Sequence, residues 1–147
     1  MLALIQRVSQ ASVVVGGALV GQIGKGLLVF VCAEPPDTDA LADQLVAKLL
    51  KLRIFGDTQG KMNLSVADVG GAVLIVSQFT LAANVSSGNR PSFAGAADSA
   101  KGRQIYERVL ATARALHPEV ACGEFAADMQ VHLVNDGPVT IPISLRA

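Results

Sequence analysis

The sequence predicts a mixed α/β domain of the α+β kind. Roughly seven or eight short apolar runs read as strands, only two stretches carry helical periodicity, and the strands gather at the two ends of the chain; regular β-α-β alternation would spread them evenly. The 147 residues fit one domain, residues 1–147. A chain of this length buries about 68–70% of its unfolded surface, so it needs no metal or disulfide staple.

Taken in order, Leu2–Val8 and Ala11–Val15 read as two strands, and Gly16-Gly17 as a tight hairpin into Ala18–Ile23. Gly24 and Gly26 mark the next turn, and Leu27–Ala33 is a buried strand. Pro35-Pro36-Asp37-Thr38 breaks the sheet and offers Asp37 or Thr38 as a helix N-cap. Leu41, Leu45, Leu49 and Leu52 then recur at three- and four-residue spacing, with Asp43, Lys48 and Lys51 between them, which predicts an amphipathic helix. Arg53-Ile54-Phe55 reads as a short strand before the polar turn Gly56–Lys61. Ala72–Val76 is a short apolar run after Gly70-Gly71, and reads as a strand buried on both faces. Leu81–Phe93 reads as a loop carrying Arg90. Asp98 or Ser99 caps a second helix striped by Ile105, Val109, Ala113 and Leu116, whose neighbour Tyr106 needs a hydroxyl partner if buried. Val120–Phe125 and Met129–Val134 are strand-like, Asn135-Asp136-Gly137-Pro138 is a turn signal, and Val139–Ile143 is a last strand that Pro142 confines to an edge or bulge.

Composition narrows the function. Only 16% of residues are charged, against about 25% in typical domains, and the spare apolar surface suggests a subunit interface. Lys+Arg and Asp+Glu are both 12, so the chain lacks the overall basicity of a generic nucleic-acid binder, and any such contact is local. Cys32 and Cys122 are too few and too isolated for a zinc site or disulfide framework, and Cys32 reads as core. No signal-peptide pattern and no membrane-spanning apolar run is seen, so a cytoplasmic protein without a membrane partner is the expectation.

The chemistry centres on the end of the Ala72–Val76 run. There Ser77, Gln78 and Thr80 surround Phe79, placing hydrogen-bonding groups at the mouth of a rigid strand. The same residues would equally serve as loop-bonding groups at a strand end. No G-x-S-x-G, phosphate-binding glycine loop or H-E-x-x-H is present. His117 sits at a helix end and His132 mid-strand, neither in the context of a general base. Ser77 and Thr80 are therefore hydroxyls without an activator, and a bare hydroxyl is a poor nucleophile at neutral pH. Either a neighbouring group activates Thr80, or the substrate brings its own activating group while the protein supplies position and N–H donors. Gly137-Pro138 is a site where a cis peptide can occur, although X-Pro bonds are trans far more often.

Ser77-Gln78-Phe79-Thr80 together with Asn135-Asp136-Gly137-Pro138-Val139-Thr140 resembles the D-aminoacyl-tRNA deacylase family. Gln6-Arg7-Val8, Arg53-Ile54-Phe55, Gly60–Ser65, Gly88–Phe93 and Ala127-Asp128-Met129 extend the likeness along nearly the whole chain. Three departures stand out: Leu2 in place of a basic residue, Ala126 in place of a glycine after Phe125, and a divergent tail Ile141–Ala147.

The resemblance implies layered mixed β-sheets forming a barrel-like core with two main helices outside. It implies a homodimer without cofactor or metal that hydrolyses the ester of D-aminoacyl-tRNA at the 3′-terminal adenosine, and glycine mischarged on tRNA-Ala. Ser77, Gln78, Phe79 and Thr80 would form the catalytic segment. Gly137 and Pro138, joined by a cis peptide, would enter the partner's pocket and reject L-amino acids, with Arg7 and Met129 in support. A general esterase using Thr80 as nucleophile and a non-enzymatic dimeric RNA-binding protein are the alternatives.

Overall fold

A computed structural model describes residues 1–147. The two N-terminal runs are one strand, β1 (Leu2–Val15), followed by β2 (Ala18–Ile23) and β3 (Gly26–Cys32). Ser9 and Gln10 are exposed and look like a break in the sequence, but the backbone ladder continues through them. What changes there is the face. Ala3 and Ile5 point into one core, whereas Val8, Ala11 and Val13 point into another. The register slips against the last strand on both sides of Val8, and such slips bend a strand and re-aim its side chains.

After β3 the chain forms α1 (Asp39–Lys51), β4 (Phe55–Gly56), β5 (Met62–Leu64) and β6 (Ala72–Ser77). Thr38 is the N-cap of α1, its hydroxyl accepting from Leu41 N–H at 3.2 Å. Asp37, the other candidate, is buried instead, and its carboxylate accepts from Glu34 N–H and from the Met1 amino group. The strand expected at Arg53–Phe55 begins only at Phe55, and the Ile54 carbonyl before it accepts from Arg7. A 3₁₀ turn (Phe79–Ala82) opens the segment expected to be loop, and an isolated bridge between Asn84 and Ser92 closes the remainder. Then come α2 (Ser99–Leu116), capped by Asp98, β7 (Val120–Cys122) and β8 (Gln130–Ser144). β7 ends at Cys122, short of the expected Phe125, and Ala126 turns the chain at φ +64°.

The last two strands expected from the sequence are also one. β8 pairs antiparallel with β1 along almost its whole length, and Asp136–Pro138 is an outward excursion within it, not a hairpin turn. Asn135 stands opposite Val8 and Thr140 opposite Gln6, so the extra residues of β8 have no partner on β1. Pro142 lies on this strand, which pairs with β1 alone and is an edge, as its missing N–H requires.

The main sheet runs β2-β1-β3-β6-β7, with β8 on the other edge of β1; β3-β6 and β6-β7 are parallel. The sheet coils until β2 crosses β7, giving the barrel-like shape. Gly21 permits that closure, since a Cβ there would collide with the Cys122 carbonyl oxygen. Two cores result. Leu28, Leu74 and Val76 fill the coil with Val8 and Val13. Leu27, Val29, Val73 and Ile75 face outward and are sealed by Leu45 and Leu49 of α1 and Ile105 and Val109 of α2. This is why Ala72–Val76 carries no polar alternation. Truncating one of these leucines to Ala costs about 2–5 kcal/mol. Outside the core, the Asp43 carboxylate ties the helices together, accepting from Arg108 at 2.9 and 2.8 Å and from Thr112 at 2.6 Å. No helix is long and apolar enough to cross a membrane.

Candidate active site

β6 delivers Ser77 to one end of the sheet, where it pairs with Val31 of β3. The Gln78 N–H still belongs to the sheet, bonding the Val31 carbonyl at 2.8 Å. The chain then winds into the 3₁₀ turn, where Leu81 and Ala83 N–H bond back to Gln78 and Thr80 carbonyls. Phe79 and Thr80 N–H open that turn, and the first N–H groups of any helical turn have no partner inside it.

A cavity of about 530 Å³ lies beside this segment. Its floor is Val31, Cys32 and Val76, and one wall is Ser77, Gln78 and Phe79. The N-terminal half of α2 supplies Asp98, Ser99, Gly102 and Tyr106, and the chain after β7 supplies Phe125–Met129. The structure thus brings together Ser77, Gln78, Phe79 and Met129. Thr80 does not line the cavity; it is exposed, and its hydroxyl accepts a hydrogen bond from Gln78 Nε2. Phe79 is 59% exposed and meets Phe93 edge-to-face, with ring centroids 5.2 Å apart.

No activated nucleophile or base converges on the cavity. Cys32 is buried beneath it, and burial followed by the nearby Glu34 charge pushes its thiol above the ordinary cysteine range, so it remains protonated. Burial likewise holds the Tyr106 hydroxyl protonated while it donates to the Ile75 carbonyl at 2.9 Å. The Asp98 carboxylate is spent on the α2 cap, accepting from Lys101 N–H at 2.8 Å. Asp128 also lines the cavity and is exposed. His117 is buried at the opposite end of β6, bonded to the Gly71 carbonyl at 2.8 Å, and His132 is exposed on β8. No cluster of three His, Cys, Asp or Glu side chains with metal-binding spacing occurs.

The second motif is built with equal care but elsewhere. The Gly137-Pro138 peptide is cis, and both residues are exposed on the excursion from β8. Asn135 braces its base: its Oδ1 accepts from Val139 N–H at 2.9 Å and its Nδ2 donates to Thr140 Oγ1 at 2.9 Å. Gln6 Nε2 donates to the same hydroxyl at 3.2 Å. Arg7 braces the flank, donating from Nε to the Asp136 carbonyl at 2.9 Å and from Nη1 to the Ile54 carbonyl at 2.7 Å. Gly137 sits at φ +145°, and a Cβ there would meet Val139 at 2.8 Å and Arg7 at 3.2 Å.

Within the protomer the two motifs are apart. From Ser77, the register crosses β3 at Val31 and β1 at Ala3, runs four residues along β1 to Arg7, and crosses once more to the excursion of β8. That is three strand spacings, about 14 Å, and a further run of about 13 Å. Both motifs are legible in the sequence, but the cavity's other walls are not. Asp98, Ser99, Gly102, Tyr106 and Phe125 come from distant elements, and only Ala127-Asp128-Met129 was visible as a segment.

The coiled mixed sheet, the paired outer helices and a pocket at the end of β6 define a protein class seen in solved structures. One is described as "c-Myc DNA Unwinding Element Binding Protein", with TM-score 0.94, 40% identity and full coverage of both chains. A probable eukaryotic D-amino acid tRNA deacylase shares the fold at TM-score 0.83 and 20% identity, over 97% of each chain. The family model described as D-Tyr-tRNA(Tyr) deacylase matches residues 4–144. A D-aminoacyl-tRNA deacylase of Methylibium petroleiphilum is 69% identical, over 97% of this chain and 94% of its own. One from Aromatoleum aromaticum is 66% identical, over 99% and 95%. The chain is an enzyme of the D-aminoacyl-tRNA deacylase family.

Proposed function

We propose that the chain hydrolyses the ester joining a D-amino acid, or glycine mischarged on tRNA-Ala, to the 3′-terminal adenosine of tRNA, and that it works as a homodimer. The observation that carries the dimer is the separation of the two motifs. Ser77–Phe79 border a cavity that their own Gly137-Pro138 excursion does not line, while that excursion projects from an edge strand, braced and exposed. A second copy supplies the excursion to the first. Main-chain carbonyls of Gly137 and Pro138 then hold the substrate amino group and fill the space an L side chain needs, so handedness is sensed by exclusion. Glycine has no side chain to exclude and is accepted.

At the rim of the cavity, the main-chain N–H groups of Phe79 and of the adjoining Thr80 stabilise the tetrahedral oxyanion, Gln78 orients the ester, and the ribose 2′-hydroxyl of the substrate assists water. The reading is supported by the absence of an activated side chain there. Cys32 and Tyr106 are held protonated, and both histidines lie outside the cavity. The Thr80 hydroxyl is engaged by Gln78 and stands outside the cavity lining, which weighs against a covalent Thr80 mechanism. The test is deacylation of D-, glycyl- and L-aminoacyl-tRNA by wild type, and of a D-substrate whose terminal adenosine lacks the 2′-hydroxyl. Cleavage of the D and glycyl esters, sparing of the L ester and loss with the deoxy substrate are expected. Indifference to the 2′-hydroxyl, or cleavage of small esters lacking RNA, returns the protein to the general esterase class.

A further inference from the structure

The balanced net charge hides an uneven distribution. Lys48 and Lys51 lie in the last turn of α1 and Arg53 two residues beyond; all three are exposed. None takes part in an ion pair or a side-chain hydrogen bond. The paired cations are Met1, Arg7, Arg103, Arg108 and Arg146. The acids at this end are committed elsewhere. Asp57 accepts from Gln59 and Lys61 N–H, both at 2.9 Å, Asp68 accepts from Ser65 N–H at 2.9 Å, and the Asp136 carboxylate sits 3.8 Å from Arg7. Gln44, Ala47, Lys48, Lys51 and Leu52 border an open hollow of about 370 Å³.

The Arg53 end of this row lies next to the Gly137-Pro138 excursion. Arg53 precedes Ile54, whose carbonyl shares the Arg7 guanidinium with the Asp136 carbonyl. A helix dipole favours cations in the last turn, which accounts for Lys48 and Lys51. It does not account for Arg53 outside the helix, nor for three neighbouring cations left without a counter-ion.

We infer that Lys48, Lys51 and Arg53 form a phosphate-contacting ridge for the acceptor stem of the tRNA whose aminoacyl end lies in the partner's cavity. This rests on the deacylase reading above and deepens it. The excursion carries the ridge with it to the partner's site, and an RNA backbone entering that site is the polyanion the ridge meets. A handful of phosphate contacts fits a neutral protein, because affinity then comes from a local patch and not from overall basicity.

The test compares wild type with the triple variant Lys48→Gln, Lys51→Gln, Arg53→Gln and the charge-keeping triple Lys48→Arg, Lys51→Arg, Arg53→Lys. Each is assayed on D-aminoacyl-tRNA and on 3′-D-aminoacyl-adenosine between about 50 and about 200 mM salt. Unchanged thermal unfolding checks that these exposed substitutions leave the fold intact. The glutamine triple is expected to raise KM for the tRNA about tenfold or more and to flatten the log–log salt slope by about 2–3. kcat and the adenosine substrate stay unchanged, and the charge-keeping triple behaves as wild type. An unaltered KM and slope on tRNA overturns the ridge, as does an equal loss on the adenosine ester, which would place these residues at the cavity. If wild type cleaves neither ester, the deacylase reading falls and the ridge with it; if wild type cleaves both and only the ridge variants are silent, the ridge alone falls.

Discussion

Arg7 offers the sharpest perturbation of the excursion without touching it. Its side chain is 16% exposed and spans two main-chain carbonyls, Ile54 at 2.7 Å and Asp136 at 2.9 Å. In Arg7→Ala the Ile54 carbonyl, on a buried residue, loses a charge-assisted bond, a loss of about 1.5–3 kcal/mol. The Asp136 carbonyl is exposed and water replaces the donor, leaving about 0.5 kcal/mol. The Asp136 carboxylate at 3.8 Å is more than half exposed and adds little. The total is about 2–3.5 kcal/mol, which for a domain of this size lowers Tm by about 4–14 °C. Arg7→Lys recovers only part of this, because an ammonium lacks the fork that bridges two acceptors. The assay is thermal unfolding alongside deacylation of D- and L-aminoacyl-tRNA carrying the same side chain. Discrimination should fall more than the rate on the D ester, since the brace holds the excluding wedge and not the oxyanion donors. A Tm within about 1 °C of wild type with unaltered discrimination would refute the assignment of Arg7 as the positioning residue.

Other outcomes follow from single sites. Ala126 is a non-glycine residue at φ +64°, so Ala126→Gly relieves about 1–2 kcal/mol of backbone strain against about 0.5–1 kcal/mol of added chain entropy; a Tm rise of about 2–4 °C is expected by calorimetry. Thr80→Val and Asp128→Asn should each keep kcat within about tenfold of wild type, because a true nucleophile or general base would cost about 10²-fold or more; single-turnover kinetics decide. Arg108 and Thr112 hold the Asp43 carboxyl down to about 2 from an ordinary 3.8. The sign is that of a depressed acid: the clamp between α1 and α2 is fully present above the ordinary value and is lost as pH falls from 3.8 through about 2. Carboxyl NMR titration of Arg108→Ala should show Asp43 moving back up toward its ordinary range. Tyr106→Phe removes one of two donors to the Ile75 carbonyl, which keeps the Gly123 N–H at 3.0 Å, and should cost about 0.5–1.5 kcal/mol in chemical denaturation.

Much of the fold is legible because its signals are local. The leucine spacing of α1, the glycine pair before β2 and the uninterrupted Ala72–Val76 run each report on immediate neighbours. What is not legible depends on long-range pairing. Ser9-Gln10 and Asn135–Pro138 carry turn chemistry, but β1 and β8 lie side by side and the ladder runs through both, turning one expected hairpin into an excursion. Asp37 is polar and next to a helix start, yet it is drawn inward by Met1 and Glu34 N–H, leaving Thr38 to cap. At the site, Ser77–Phe79 are readable because a buried strand ends there. The cavity's far wall is not, since Gly102, Tyr106 and Phe125 meet β6 only through the packing of α2 and the turn at Ala126. The roles of Asn135 and Arg7 as braces are equally non-local, each set by the pairing of β1 with β8.

The account stands on a site shared between two chains, and mixed dimers test that directly. Ser77→Leu closes one cavity, and Gly137→Val disables one excursion, its side chain colliding with Val139 and Arg7. With the two lesions on different chains, one cavity still receives an intact excursion, and D-specific deacylation should persist at about half the wild-type rate. With both lesions on one chain and a wild-type partner, the open cavity receives the damaged excursion and the intact excursion enters the closed cavity, and D-specific activity should be lost. The reverse pattern would mean that each chain completes its own site, and would contradict the account.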